Sequence, residues 1–182
     1  MDFIKEYWAQ VALIVSLMIN GLTLYFNYRL KKIEVQYSII TKLRFDLSKE
    51  YVLAFTNAYM KLNTVGSQLF IGSWDEANLN PVLESYNQAH RELTNASQLL
   101  KFSFDESINS KVDEIGKTFQ NTTATINSYI HMATRKSYVD ADDTHRISKE
   151  YSHTVENVLP KELPRLRDEL FHAISLNLKL KK

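Results

Sequence analysis

The chain has 182 residues, with 22 Lys and Arg against 21 Asp and Glu, a net charge of +1 and no cysteine. That near balance excludes a broad electrostatic grip on nucleic acid, and a chain without cysteine holds no thiolate metal site or disulfide. Four glycines and three prolines are too few for an all-β fold of many turns, and no segment sustains period-two alternation.

Between Glu6 and Arg29 the run Tyr7–Tyr28 carries no charge over twenty-two residues. At about 1.5 Å per helical residue it matches the roughly 30 Å hydrocarbon core of a bilayer. Tyr7, Trp8, Tyr25 and Tyr28 supply aromatic belts at both ends. A cleaved signal peptide needs a basic leader, a shorter apolar stretch and a small-x-small exit site, whereas this run leaves through Tyr28-Arg29-Leu30-Lys31-Lys32. The expectation is an uncleaved single-pass helix in the inner (cytoplasmic) membrane, residues 1–28. The positive-inside rule then puts the N-terminus outside and the remaining chain in the cytoplasm. The glycosylation-like triplets at Asn95 and Asn121 would not meet the modifying machinery there.

At 100° per residue, Ala9, Ala12, Ser16, Asn20, Thr23 and Asn27 fall within about 80° of one another, a small-and-polar stripe on an otherwise greasy rod. Asn20, near mid-span, would leave an amide in hydrocarbon unless another helix or water satisfied it. Two readings follow, a helix-to-helix interface or the wall of a water-filled pore, and both require several copies of the chain.

Residues 29–182 suffice for one domain with a core and leave little room for a second. From Arg29 to Val65 no proline or glycine intervenes, while Ile33, Tyr37, Ile40, Leu43, Leu47, Tyr51, Ala54, Ala58 and Leu62 recur at spacings of three and four. The stretch Gly66 to Asn80, with Gly72 and Trp74, reads as a connection. Asn80-Pro81 reads as the cap and first residue of a second helix through Leu83, Tyr86, Leu93, Ala96 and Leu100. Ser103 to Glu106 has the spacing of a capping box before a third helix striped by Ile108, Val112, Ile115, Phe119, Thr122, Ile126, Tyr129 and Ala133. A fourth helix opens in Asp140–Thr144 and carries Ile147, Tyr151, Val155 and Val158; Pro160 and Pro164 end or kink it. Leu166, Leu170, Ile174 and Leu178 line a last segment. The predicted class is all-α: a transmembrane helix continuous with a cytoplasmic up-and-down bundle of four or five helices.

Chemistry is sparser. His90, His131, His145, His153 and His172 form no HExxH pattern, and there is no phosphate-cradling glycine loop or GxSxG turn. No metal or cofactor is expected: His145 and His153 with Asp142 and Asp143 read as exposed polar residues at a helix start. One spacing stands out, Arg167-Asp168 followed by His172, with Arg146 to His153 a second loose match. Five positions turn a helix through about 500°, so Arg167 and His172 point about 140° apart and would cooperate only across an interface. In RNA transesterification an imidazole moves the proton of the 2′-hydroxyl while a guanidinium holds the phosphate. On residues alone the pair reads first as a surface or interfacial contact.

The N-terminal anchor, the helical domain of about this length and the late Arg167-x4-His172 together resemble the small membrane accessory proteins of type VI-B CRISPR systems, which carry a divergent HEPN-like domain. The resemblance implies a ring-shaped homo-oligomer, octameric in the family pattern, whose helices enclose a pore lined by Ser16, Asn20, Thr23 and Asn27. It further implies depolarisation of the inner membrane during phage infection, strengthening the immunity of an RNA-guided RNase, the functional partner. In HEPN nucleases the matching residues are catalytic, which would give Arg167, Asp168 and His172 that role; in a degenerate domain they serve structure. Two alternatives stay open: a membrane-tethered HEPN ribonuclease, and a non-catalytic membrane-anchored adaptor bundle. Direct nucleic-acid binding is not expected of a surface without a basic groove.

Overall fold

The computed structural model describes the backbone of residues 2–71, 76–134 and 140–179 and the side chains of residues 15–69, 78–134 and 140–178. Among them every element is helical: α1 Asp2–Ile71, α2 Glu76–Ser103, α3 Glu106–Thr134, α4 Ala141–His153, a π-helical segment Thr154–Glu162, and α5 Leu163–Lys179. The chain divides into two compact units, Met1–Leu43 and Arg44–Lys182.

The first unit is built from α1. From Val15 to Ile40 every described side chain is exposed, including Leu24, Leu30, Ile33 and Ile39. Among the described residues, no helix is long and apolar enough to cross a membrane. The side chains of Tyr7 to Ile14, the first part of the expected span, lie outside the described residues, as do Ala9 and Ala12 of the stripe.

The second unit is an up-and-down bundle. Cross-helix contacts fix its register. Asn57 meets Glu92 and Arg44 lies over the Phe104 ring, so α1 and α2 run antiparallel. Lys101 pairs with Asp113, and Tyr86 with Thr123, along antiparallel α2 and α3. On α3's other side Met132 touches Ser148, Tyr129 stacks on Tyr151, Lys111 meets Glu169, and Asp105 bonds Asn177. The chain from α4 through α5 therefore lies along α3 as one antiparallel partner. Between these rods sits a core that includes Tyr51, Phe55, Leu62, Tyr86, Leu100, Phe119, Leu163 and Leu170, all almost fully buried. Phe119 meets Phe55 edge-on at 5.5 Å, an arrangement that places positive ring edge against negative face.

Several expected boundaries move, each for a packing reason. The three–four spacing of α1 does run unbroken, but Ile33, Tyr37, Ile40 and Leu43 are exposed, and along that stripe burial begins with half-buried Leu47. Gly66 opens no connection: α1 continues through it to Ile71, and a Cβ there would meet Leu159 at 3.1 Å and Val155 at 3.6 Å. Glycine lets α1 pass close to the π-helical segment. Gly72 and Trp74 lie outside the described residues. Asn80 and Pro81 do not start α2, which begins at Glu76 and holds Pro81 inside. Burial of Leu79 ties the extra first turn to the core against the backbone bond that proline forfeits.

Ser103 closes α2, and Asp105 caps α3 in its place. Its carboxylate accepts from the Ile108 N–H at 3.3 Å, and its carbonyl from the Asn109 N–H at 3.0 Å. Burying Phe104 at the corner places the cap after it. The fourth helix opens in the acidic stretch as expected, and Asp140 caps it, accepting from the Ala141 N–H at 2.6 Å. Pro160 neither ends nor breaks the helix. A proline ring crowds the carbonyl four residues back and offers no N–H, and the wider π turn relieves both conflicts: the Leu163 N–H reaches Val158 O, five residues back. That widening keeps both Leu159 and Leu163 in the core.

Candidate functional site

Two sets of residues were expected to carry function, and the structure places them in different units. Ser16, Asn20, Thr23 and Asn27 lie on α1 in the first unit, all exposed. Their spacing of four, three and four puts them along one helical face. Thr23 donates its hydroxyl to Ile19 O at 2.8 Å, so its proton is satisfied within the helix. A threonine bonded back in this way still offers its oxygen as an acceptor. Around this stripe Leu17, Met18, Leu22, Leu24 and Phe26 are also exposed.

Arg167, Asp168 and His172 lie on α5 in the second unit. Leu166 and Leu170 anchor that helix in the core, which turns Asp168 and His172 outward to exposed positions and leaves Arg167 half-buried. The Arg167 guanidinium is held by its neighbour, with Nε and Nη2 each 2.8 Å from Asp168 Oδ1. A charge-assisted pair of this kind fixes the arginine's orientation without joining it to the histidine. Nothing among the described residues brings Arg167 and His172 together.

The second match is likewise occupied. Arg146 bridges Asp143 at 3.0 Å and Glu150 at 3.6 Å, and Asp143's hydrogen bond and charge raise its pKa further above the ordinary value. His153 meets the Asn157 amide at 3.3 Å. These are solvent-facing helix pairs of the i,i+3 and i,i+4 type. Among the described residues no three His, Asp or Glu side chains are grouped to hold a metal ion.

Spacing alone missed an aromatic line in the bundle. His90 stacks against Tyr86 at 5.7 Å and Phe119 at 6.2 Å, and burial holds its pKa below the usual histidine value. Its position one turn after Tyr86 on the same face was the available signal. Tyr151 was legible only as a core position; in the fold it stacks on Tyr129 at 3.9 Å and donates to Gly66 O at 2.6 Å, and its loss of solvent pushes its pKa upward.

Compared with known proteins, the chain matches no family model, no curated protein and no solved structure.

Proposed function

We propose that this chain is a membrane-anchored protein whose α1 helices assemble into a homo-oligomeric ring, and that the ring permeabilises the inner membrane. The observation carrying the proposal is the first unit itself, in which every described side chain from Val15 to Ile40 is exposed, large apolar groups among them. At roughly 25 cal/mol per Å² of apolar surface, such a helix is costly in water and stable only when lipid or protein covers it. Tyr7 to Tyr28 is long enough to be that buried segment, and Arg29, Lys31 and Lys32 orient it with the bundle inside. Ser16, Asn20, Thr23 and Asn27 give each helix one polar face, which hydrocarbon disfavours and which sister helices or a water-filled lumen would satisfy.

The resemblance in layout to type VI-B CRISPR accessory proteins supports a role in antiphage defence beside an RNA-guided RNase. Pore opening would then depolarise the infected cell. The ribonuclease alternative draws no support from α5, where Arg167 is engaged by Asp168 and, among the described residues, no hydrogen bond or ion pair reaches His172. The test joins two readouts on the full chain: the mass of the detergent-extracted particle and dye or ion release from liposomes. A ring that leaks, and stops leaking when Asn20→Leu removes the mid-span amide, supports the proposal. A monomer sinks it. RNA cleavage that is lost in His172→Ala would instead establish the enzyme.

A further inference from the structure

Between Leu30 and Leu43, α1 carries two apolar faces. At 100° per residue Leu30, Ile33, Tyr37 and Ile40 fall within about 80° of one another, and Val35, Ile39 and Leu43 form a second such arc whose centre lies about 140° from the first. All seven belong to the first unit. Tyr37 is 38 % exposed, and the other six are half exposed or more. With Tyr7 to Tyr28 in the bilayer, Arg29, Lys31 and Lys32 stand at its boundary, and Leu43 lies about 16 Å beyond Lys32 along the axis, out of reach of lipid.

A second, parallel copy fits these faces in one way better than in the others. Lys32 falls inside the second arc, so laying that face against its own copy would oppose two ammonium groups. Laying the first face against its own copy would make a coiled-coil pair, but would leave Val35, Ile39 and Leu43 in water on both chains. Laying the first face of one chain on the second face of the next covers both. The same contact sets Glu34, on the flank of the first face, beside Lys31 on the facing flank of the neighbour, about 4.5 Å apart along the axis. Among the described residues neither side chain makes an ion pair within its own chain. The opposite flank holds Gln36 and, at the level of the lipid headgroups, Arg29.

We infer that residues 30–43 form a head-to-tail interface between copies of this chain, with Leu30, Ile33, Tyr37 and Ile40 of one packed on Val35, Ile39 and Leu43 of the next and Glu34 paired with the neighbour's Lys31. A contact between two different faces leaves one of each unused at the ends of an open row, so it closes only as a ring of three or more and does not stop at a dimer. The parallel orientation and the exclusion of lipid rest on the membrane-anchored reading above; the pore plays no part.

Because the chain has no cysteine, introduced thiols report this contact alone when the full chain is oxidised in its membrane. Tyr37 and Ile39 point about 160° apart on the helix, so thiols at the two positions cannot close a disulfide within one chain. Tyr37→Cys with Ile39→Cys should give a ladder of crosslinked species extending past the dimer, and either substitution alone should give several-fold less crosslinked product. Glu34→Lys should weaken the ladder several-fold, and Glu34→Lys with Lys31→Glu should restore it, with the melting temperature of the bundle unchanged throughout. The inference is overturned if Tyr37→Cys alone gives dimers that the double variant does not extend, since like faces then meet, or if the charge swap fails to restore the ladder. It is also overturned if a particle of several copies by mass gives no ladder at all; the ring reading then stands, held by the membrane segment. A solitary subunit by mass overturns both.

Discussion

Ile33, Tyr37, Ile40 and Leu43 stand at the same spacing as Tyr51, Ala58 and Leu62, on one unbroken helix, yet the first group is exposed and the second buried. Periodicity therefore reports that a face is to be covered, and it is silent on what covers it. For the second group the cover is the rest of the bundle, where α1 is met by α2 at Asn57, by α3 at Phe55 and by the π-helical segment at Gly66. For the first no cover lies among the described residues, and the assembly proposal supplies one.

The largest test of that contrast is truncation within each group. Phe119→Ala removes a fully buried ring that meets Phe55 and His90, and should cost about 3–5 kcal/mol, measured by thermal or denaturant unfolding of the bundle. Ile40→Ala removes an exposed side chain and should leave unfolding within about 0.5 kcal/mol, while lowering the mass of the extracted particle. A stability loss from Ile40→Ala as large as that from Phe119→Ala would erase the distinction between the two groups.

Two glycines sharpen the contrast. Gly66 is packed against Leu159, so Gly66→Ala should destabilise by about 1–3 kcal/mol, partly offset by alanine's better helix propensity. Gly21 has nothing within 4 Å of its would-be Cβ, and Gly21→Ala should leave the melting midpoint of the bundle unchanged or slightly raised. Next in size is the cap of α3. Asp105→Ala loses the acceptor for the Ile108 N–H and the partner of the Asn177 amide, and should cost about 1 kcal/mol in equilibrium unfolding; Ser103→Ala should cost less, since Ser103 belongs to α2.

Much of the bundle was legible because helix spacing and burial are the same fact seen twice: Ile108, Val112, Ile115, Phe119, Thr122 and Ile126 are all buried as spaced. What escaped were places where tertiary packing overrode a local signal. Gly66 and Pro81 are breakers by propensity, but close contact with Leu159 and burial of Leu79 hold helix at both. Pro160 looked like an end or a kink, and keeping Leu159 and Leu163 buried favoured a π turn over a stop. The candidate site was less legible still. An arginine and a histidine five positions apart specify no geometry, and here the arginine's nearest acceptor, Asp168, claims it.

The smallest predicted effect is a pH dependence confined to the bundle, since no histidine occurs before His90. His90 is half-buried against Tyr86 and Phe119, and that burial disfavours the imidazolium, holding the folded pKa below the ordinary value of 6.5. In the unfolded chain the ring titrates normally. Between the depressed folded pKa and 6.5, the unfolded state therefore binds a proton that the folded state refuses, and stability rises with pH across that window. The contribution is fully present above the unfolded pKa and is lost as pH falls below it. Melting temperatures at pH 7.5 and 5.5 should differ by less in His90→Phe than in the parent, because phenylalanine keeps the aromatic packing and removes the titration. An unchanged difference would mean that His90 is solvated well enough to charge in place, and that the Tyr86–His90–Phe119 line is looser than its spacing implies.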